Sequence, residues 1–134
     1  MTAPLILIAE DNALIGMMIQ SDLETAGYRV AGPFAQIAPA LELAAGEAPS
    51  LALVDIDLYG GDSGLDLAEA LQRMNVPSLF VTGQNREGVA NSELALGVLS
   101  KPFQSNELLA SVEGAISYAR TGETPPPNKQ VDWF

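Results

Sequence analysis

Short runs of apolar residues recur along the chain, and longer stretches between them carry apolar residues at helical spacing. The runs are nearly continuous rather than alternating, which is typical of parallel strands buried on both faces. The predicted strands cover residues 5–9, 29–31, 51–54, 78–81 and 98–99. The predicted helices cover residues 13–26, 36–45, 63–74, 85–92 and 105–119. Ser105 or Asn106 is the expected capping residue of the last helix.

This strand–helix alternation predicts an α/β protein, a (βα)₅ doubly wound fold with a parallel five-stranded sheet and helices on both faces. The expected strand order is 2-1-3-4-5, as in flavodoxin-like folds. We assign residues 1–119 to one domain and residues 120–134 to a Pro-rich C-terminal tail. We expect the tail to be a disordered end. The alternative is a docking tail whose Trp133 and Phe134 bury against this domain or a partner.

The composition excludes several kinds of partner and functional site. The chain carries 17 acidic and 6 basic residues, a formal net charge of −11, which disfavours nucleic acid and anionic membrane surfaces as partners. It contains neither cysteine nor histidine, which excludes disulfides, thiolate metal sites and histidine-based catalysis. The apolar start of the chain is too short for a membrane span and lacks a basic flank, so we expect a cytoplasmic protein.

Acidic residues follow the first and the third predicted strands. Glu10 and Asp11 come after the first strand, and Asp55 and Asp57 after the third. The expected strand order brings these two strand ends together at the point where open α/β sheets bind ligands. Two carboxylates ~4 Å apart repel by roughly 4 kcal/mol at an effective dielectric of 20, so the cluster calls for a cation. Mg²⁺ fits an all-oxygen ligand set. The competing interpretation is structural: Asp11 or Asn12 could cap the first helix, and Asp57 could be an ordinary loop acid.

A hydroxyl and an ammonium follow the last two predicted strands. Thr82 comes after the fourth strand, and Lys101 and Pro102 after the fifth. Taken singly, a threonine in a loop or a solvated lysine carries little information. Together with the acids at the same edge of the sheet, they suit a tetrahedral oxyanion, because the lysine offsets its charge and the threonine donates a hydrogen bond.

With these motifs in view, residues 5–119 resemble the receiver domains of two-component response regulators. The motifs that carry the resemblance are Ile8-Ala9-Glu10-Asp11-Asn12, Leu53-Val54-Asp55-Ile56-Asp57-Leu58, Ser63-Gly64-Leu65-Asp66-Leu67, Val81-Thr82-Gly83 and Lys101-Pro102-Phe103. The resemblance implies that Asp55 is the phosphoacceptor. It also implies that Glu10, Asp11, Asp55 and the backbone carbonyl of Asp57 hold Mg²⁺.

The resemblance further implies that Thr82 and Lys101 contact the phosphoryl group, and that the Lys101–Pro102 peptide bond is cis. Thr82, Gly83 and Val98 are the expected switch positions. The family often has an aromatic residue where this chain has Val98, and that ring swings inward when the threonine moves. The switch must therefore operate here in another form. Gly83 has no side chain and leaves an open path to the phosphoryl group.

The fourth-strand motif Phe80-Val81-Thr82-Gly83 resembles a subfamily with a Phe-Ala-Thr-Gly motif, although Gln84 and Asn85 depart from its pattern. Members are often stand-alone and often paired with kinases of the HWE/HisKA2 type. The expected partners are a sensor histidine kinase or histidine phosphotransfer protein, and a downstream protein target. We expect the target to read the surface formed by residues 83–98.

Leu14, Met18 and Ser21 form a row on the first predicted helix, beside its core-facing stripe. They are either a docking surface for the phosphoryl donor or residues at the edge of the core.

The predicted function is phosphorelay signal transduction, in which the chain catalyses only its own phosphotransfer and dephosphorylation and is not otherwise an enzyme. One alternative is a toprim-type Mg²⁺-dependent nuclease that uses Glu10, Asp55 and Asp57. A second is an aspartyl-nucleophile phosphatase, which would place its Asp-x-Asp motif on the first strand of a longer chain. A third is a pseudo-receiver that binds proteins without being phosphorylated.

Overall fold

The structure is a computed structural model that describes residues 3–56, 58, 64–83, 93–126 and 128–134. Strands and helices alternate through residue 82, as the apolar pattern predicts. The strands are β1 (Leu5–Ala9), β2 (Arg29–Phe34), β3 (Leu51–Asp55), β4 (Ser78–Thr82), β5 (Gly97–Ser100) and β6 (Val131–Trp133). The helices are α1 (Ala13–Thr25), α2 (Ile37–Glu47), α3 (Gly64–Arg73) and α4 (Ser105–Thr121).

The described strands form one sheet in the order β2-β1-β3-β4-β5-β6. The neighbouring pairs from β2 to β5 are parallel, so the predicted fold class and the strand order 2-1-3-4-5 are confirmed. The prediction of five strands is wrong by one, because β6 adds an antiparallel strand beside β5.

The two faces of the sheet are covered by different helices. Side chains alternate along a strand, so Ile6 and Ile8 of β1 pack on the side of α1 and α4, whereas Leu7 packs on the side of α2 and α3. All three side chains are fully buried. Burial of each such side chain contributes roughly 1.5–3 kcal/mol, which explains why apolar runs of this kind form central strands. Among the described helices, none combines the length and apolar character needed to cross a lipid bilayer.

Several predicted boundaries need correction. Strand β2 extends to Phe34, three residues beyond the prediction, through the Gly32–Pro33 pair that normally interrupts a strand. The N-cap of α4 is Gln104 rather than Ser105 or Asn106, and the Glu107 carboxylate accepts a hydrogen bond from its backbone N–H at 2.8 Å. The predicted helix at 85–92 lies outside the described residues.

The expectation of a disordered tail is wrong. Helix α4 continues to Thr121, past the assigned boundary at residue 119, and the chain then returns to form β6. The Trp133 ring meets the Tyr118 ring edge-to-face at a centroid distance of 6.0 Å. The Tyr118 hydroxyl donates to the carbonyl of Phe134, whose own N–H donates to the Leu96 carbonyl at 2.9 Å. The alternative interpretation is therefore correct: the terminal aromatic residues pack against this domain.

Docking of the tail depends on a missing side chain at Gly97. A Cβ atom added there would lie 2.5 Å from the Asp132 carbonyl oxygen and 3.0 Å from the Trp133 ring. We therefore predict that Gly97→Ala displaces β6 and lowers the free energy of unfolding by roughly 1–3 kcal/mol, as overpacking does elsewhere. Urea unfolding gives the free energy, and emission from Trp133, the only tryptophan, reports exposure of the tail.

Gly46→Ala in α2 is the matched control, because nothing lies within 4 Å of a Cβ at that position. Alanine favours helix over glycine, so this variant is expected to gain up to about 1 kcal/mol. A Gly97→Ala protein with wild-type stability and wild-type emission would contradict the prediction.

Candidate functional site

The candidate site lies at the edge of the sheet where the parallel strands end. Strands β1 and β3 are neighbours, with Ala9 beside Val54, so the residues that follow this pair come together. Those residues are Glu10 and Asp55, and both are buried, with exposed fractions of 4% and 6%. Burial of two carboxylates requires compensating charge or hydrogen bonds.

Carboxylate oxygens of Glu10, Asp11 and Asp55 lie within 4.8 Å of one another. The predicted convergence of these three acids is therefore confirmed. Three carboxylates with no nitrogen or sulfur ligand among them match the preference of Mg²⁺, so this donor set fits the ion. Asp57, whose backbone carbonyl is the fourth predicted ligand, lies outside the described residues.

Asn12, and not Asp11, caps helix α1. Its side-chain oxygen accepts a hydrogen bond from the Ile15 N–H at 3.1 Å, and its own N–H donates to Glu10 Oε2 at 3.1 Å. The sequence did not decide whether Asp11 or Asn12 caps the helix, and in the structure the Asn12 side chain makes the capping interaction. The Asp11 carboxylate belongs to the acidic cluster.

The Lys101 ammonium projects into the acidic cluster. Its Nζ lies 2.8 Å from Glu10 Oε1 and 3.3 Å from Asp55 Oδ2. Burial lowers the pKa of Lys101, but pairing with Glu10 and the negative charges of Asp55 and Glu10 outweigh it, so the pKa lies above its usual value. The side chain consequently remains a cation at neutral pH.

The backbone of Lys101 is bound to the end of β4. Its backbone N–H donates to the Thr82 carbonyl at 2.8 Å, and Thr82 is buried at the end of β4. The Lys101–Pro102 bond is cis, as the resemblance implied. A Cβ at Gly83 would lie 3.8 Å from the Lys101 side chain, which is ordinary van der Waals contact.

Gly64 brings helix α3 against the end of β3. Its N–H donates to the Ile56 carbonyl at 3.0 Å, and a Cβ added to it would overlap the backbone oxygen of Asp55. Only a residue without a side chain permits this approach. The helix therefore begins directly beside the strand end that carries the Asp55 carboxylate.

Val98, one of the three predicted switch residues, lies away from the acidic cluster. It is fully buried in β5 and pairs in register with Phe80 of β4. Its side chain belongs to the core on the side of α2 and α3. Gln84 and Asn85, which depart from the subfamily pattern, lie outside the described residues.

The predicted row on α1 is exposed. Leu14 and Met18 have exposed fractions of 68% and 56%, and Ser21 is exposed as well, so all three are accessible to a partner. Met17, which the sequence analysis missed, is 61% exposed beside them. Its position three residues after Leu14 places it on the same helical surface, and that spacing could have identified it.

A groove of about 190 Å³ lies between α1 and the segment that follows β5. Met18 and Ile15 line it on one side, and Pro102 and Phe103 line it on the other, with Lys101 at its edge. The exposed methionine is therefore continuous with the segment that carries the ammonium. An apolar patch of this kind beside a polar site is typical of a protein-binding surface.

The family model of the response regulator receiver domain matches residues 6–113, which is most of the chain. The chain belongs to the response regulator receiver domain family. Such domains serve two-component signalling, so the predicted family and its general role are confirmed. The receiver assignment also accounts for the acids, the threonine and the lysine at one edge of the sheet.

Two curated relatives of this receiver domain are each 31% identical to it over 119 residues. They are the transcriptional regulatory protein PdtaR of Mycobacterium tuberculosis and the phyllosphere-induced regulator PhyR of Methylorubrum extorquens. The alignments cover 86% and 87% of this chain but only 58% and 45% of the relatives, so the chain spans about half their length.

Among solved structures, the signal receiver domain of a modulated diguanylate cyclase from Desulfovibrio desulfuricans G20 matches with a TM-score of 0.76 at 32% identity. The match covers 90% of this chain and 99% of the matched chain.

The raised pKa of Lys101 makes stability depend on pH. The folded chain holds this proton more tightly than the unfolded chain, so the stabilisation is fully present below the usual pKa of 10.5 and is lost as pH rises through the folded value. In metal-free buffer, the difference in unfolding free energy between wild type and Lys101→Met is therefore expected to shrink as the pH rises above about 10.5. Urea unfolding across that range measures it.

Lys129→Met removes the other lysine of the sequence, at an exposed position outside the acidic cluster, and serves as the control. A wild-type advantage over Lys101→Met that stays constant or grows as pH rises would show that the ammonium does not stabilise the buried carboxylates.

Proposed function

We propose that this receiver domain accepts a phosphoryl group on Asp55 from a phosphohistidine donor in a Mg²⁺-dependent reaction, and that phosphorylation changes its protein-binding surface. One observation carries the proposal. The buried Asp55 carboxylate lies 3.3 Å from the Lys101 ammonium, at the same sheet edge as the Glu10 and Asp11 carboxylates.

The proposed step needs no base and no second nucleophile. A carboxylate oxygen of Asp55 forms the new O–P bond, the N–P bond of the phosphohistidine breaks, and the imidazole leaves with that electron pair. The transition state is loose and its charge is spread over the phosphoryl oxygens, so positioning and charge neutralisation provide most of the catalysis. Lys101 supplies a fixed positive charge beside the reacting carboxylate.

Glu10, Asp11 and Asp55 would hold Mg²⁺, which would neutralise the carboxylates and offset the charge on the phosphoryl oxygens. Glu10 contributes in a second way, since its Oε1 pairs with Lys101 at 2.8 Å and its Oε2 accepts from Asn12 at 3.1 Å. Both of its oxygens therefore have defined orientations before any ligand arrives. This preorganisation favours a fast reaction.

The phosphoryl donor is proposed to be a sensor histidine kinase or a histidine phosphotransfer protein. Leu14, Met17 and Met18 expose apolar surface on α1, and the groove beside them reaches Lys101. A donor that covers this surface would exclude water from the acidic cluster and strengthen every charge interaction there. The narrower proposal of an HWE/HisKA2-type kinase rests only on the Phe80-Val81-Thr82-Gly83 motif.

The output is proposed to begin at Thr82 and Gly83. A phosphoryl group on Asp55 would favour the arrangement in which the Thr82 hydroxyl reaches it, and the population of states would shift accordingly. A downstream target is proposed to read residues 83–98, of which the structure describes 83 and 93–98. Val98 is fully buried, so its side chain does not take part in that contact. With Val98 in place of an aromatic residue, no large ring at that position has to move.

The aspartyl-nucleophile phosphatase would carry its Asp-x-Asp motif on the first strand, whereas Asp55 ends β3, so two alternatives remain for the site. A toprim-type nuclease would use Glu10, Asp55 and Asp57, but it has no need for the Lys101 ammonium beside the acids, and a net charge of −11 repels DNA. A pseudo-receiver would bind proteins without phosphorylation, but it has no need for three carboxylates within 4.8 Å of one another and an ammonium paired with two of them.

Phosphorylation can be tested with acetyl phosphate. Wild-type protein with Mg²⁺ is expected to gain one phosphoryl mass, whereas Asp55→Asn gains none because its amide is not a nucleophile. Lys101→Ala should slow the reaction roughly 10²-fold, the effect expected when one group that stabilises developing negative charge is removed. Intact-mass spectrometry over time measures all three proteins.

Asp66→Asn, an exposed carboxylate in the first turn of α3, is the control and should react like wild type. The same preparations incubated with Mg²⁺ and supercoiled DNA test the nuclease alternative. A wild-type protein that cuts DNA and gains no phosphoryl mass would replace the proposal with that alternative.

The docking surface makes a separate prediction. Leu14→Asp and Met18→Asp should slow transfer from a phosphorylated histidine kinase about tenfold or more, because anchor residues of interfaces contribute upwards of 1–2 kcal/mol. Transfer from acetyl phosphate should be unchanged, since the small donor needs no docking surface. Met74→Asp, at an exposed methionine beyond α3, is the matched control. Equal kinase-dependent rates for all the proteins would remove α1 as the docking surface.

A further inference from the structure

Gln130, the residue before β6, holds the backbone on both sides of Lys101. Its carboxamide nitrogen donates to the carbonyl of Ser100 at 3.2 Å and to the carbonyl of Pro102 at 2.8 Å. Its own carbonyl accepts from the Ser100 N–H at 2.9 Å. One tail residue thus makes three hydrogen bonds to the residues that precede and follow the lysine.

These bonds complete a clamp around Lys101. The lysine N–H is bound to the Thr82 carbonyl on the β4 side, while Gln130 binds the flanking residues from the β6 side. The Lys101 side chain leaves this clamped turn to reach Asp55 at 3.3 Å and Glu10 at 2.8 Å. The position of the ammonium therefore depends on contacts from two strands, and the tail supplies one of them.

Gln130 is itself held by the tail. Asn128 Oδ1 accepts its N–H at 2.9 Å, and Val131 next to it is buried in the core on the side of α1 and α4. Trp133 packs against Tyr118 at the other end of the same strand. Displacement of β6 would consequently release the Lys101 turn on one side.

We propose that Gln130 is a positioning residue for phosphotransfer to Asp55 and acts through Lys101, an inference that rests on the proposed function. The residue touches no reacting atom. It holds the turn from which the Lys101 ammonium reaches Asp55. Displacement of a catalytic group by about 1 Å can lower the rate on the order of 10²-fold. A phosphoryl group on Asp55 that binds the Lys101 ammonium would favour this placement of the lysine, and with it the docking of β6, because binding equilibria at two sites are coupled reciprocally.

A purely structural role is the competing explanation, since Gln130 could simply stabilise the edge of the sheet. The two roles differ in their dependence on Lys101. If Gln130 acts through the lysine, its removal has no further effect once the lysine is gone. If its role is only structural, the two losses are independent and multiply in rate.

The experiment is a double-mutant cycle of wild type, Gln130→Ala, Lys101→Ala and the double variant. The rate of phosphoryl gain from acetyl phosphate at saturating Mg²⁺ is read by intact mass, and urea unfolding confirms that each protein is folded. We expect Gln130→Ala to lower the maximal rate about tenfold and the double variant to react as slowly as Lys101→Ala. Gln130→Glu, which keeps the shape but cannot donate to the two carbonyls, should be at least as slow as Gln130→Ala.

Gln72→Ala is the matched control. Its carboxamide also donates to a backbone carbonyl, that of Glu93 at 2.7 Å, and this carbonyl lies outside the turn that carries Lys101. This variant should retain the wild-type rate. Emission from Trp133 gives a second readout: beryllofluoride with Mg²⁺ should shift it in wild type, and the shift should be lost in Gln130→Ala.

The outcomes separate this inference from the proposed function. A wild-type protein that gains no phosphoryl mass overturns both. A wild-type protein that does gain it, with Gln130→Ala equally fast, overturns the inference alone. Rate losses that multiply in the double variant also overturn the inference and leave the proposed function standing. The same holds if beryllofluoride leaves the emission of Trp133 unchanged in wild type.

Discussion

The contact between one ammonium and two buried carboxylates is the interaction on which the site depends. Glu10 and Asp55 are almost completely buried, and the Asp11 carboxylate approaches them within 4.8 Å. Three like charges at such distances repel strongly, and Lys101 offsets only part of that repulsion. The cluster therefore retains a net negative charge that suits a divalent cation. In the proposed reaction, its lysine would bind a phosphoryl oxygen.

The fold holds these opposing charges together by placing them at the ends of rigid strands. Strands β1 and β3 are buried along their whole length, so their final residues have little freedom. Gly64 allows α3 to begin against the Asp55 backbone, and Asn12 orients Glu10 while it caps α1. Rigid support of this kind gives the precise geometry that electrostatic catalysis requires.

The acidic cluster could be predicted from the sequence because buried parallel strands appear as apolar runs and their carboxyl ends meet at one edge. That reasoning places Glu10, Asp55 and Lys101 together without any contact information. It fails for β2, where Gly32 and Pro33 oppose strand propensity and tertiary pairing overrides them. It also fails for β6, which has only three residues and pairs with a strand more than thirty residues away in the chain. Gln130 had no local signal at all, because its partners are backbone carbonyls of distant residues.

The short strand β6 has a consequence for the outer borders of the sheet. Without it, β5 would present unpaired N–H and C=O groups that could template the growth of a cross-β assembly from another molecule. At the opposite border, β2 includes Pro33, which has no N–H to offer such a neighbour. The border opposite β2 then falls on β6, and an edge strand of only three residues offers little backbone for pairing with another molecule.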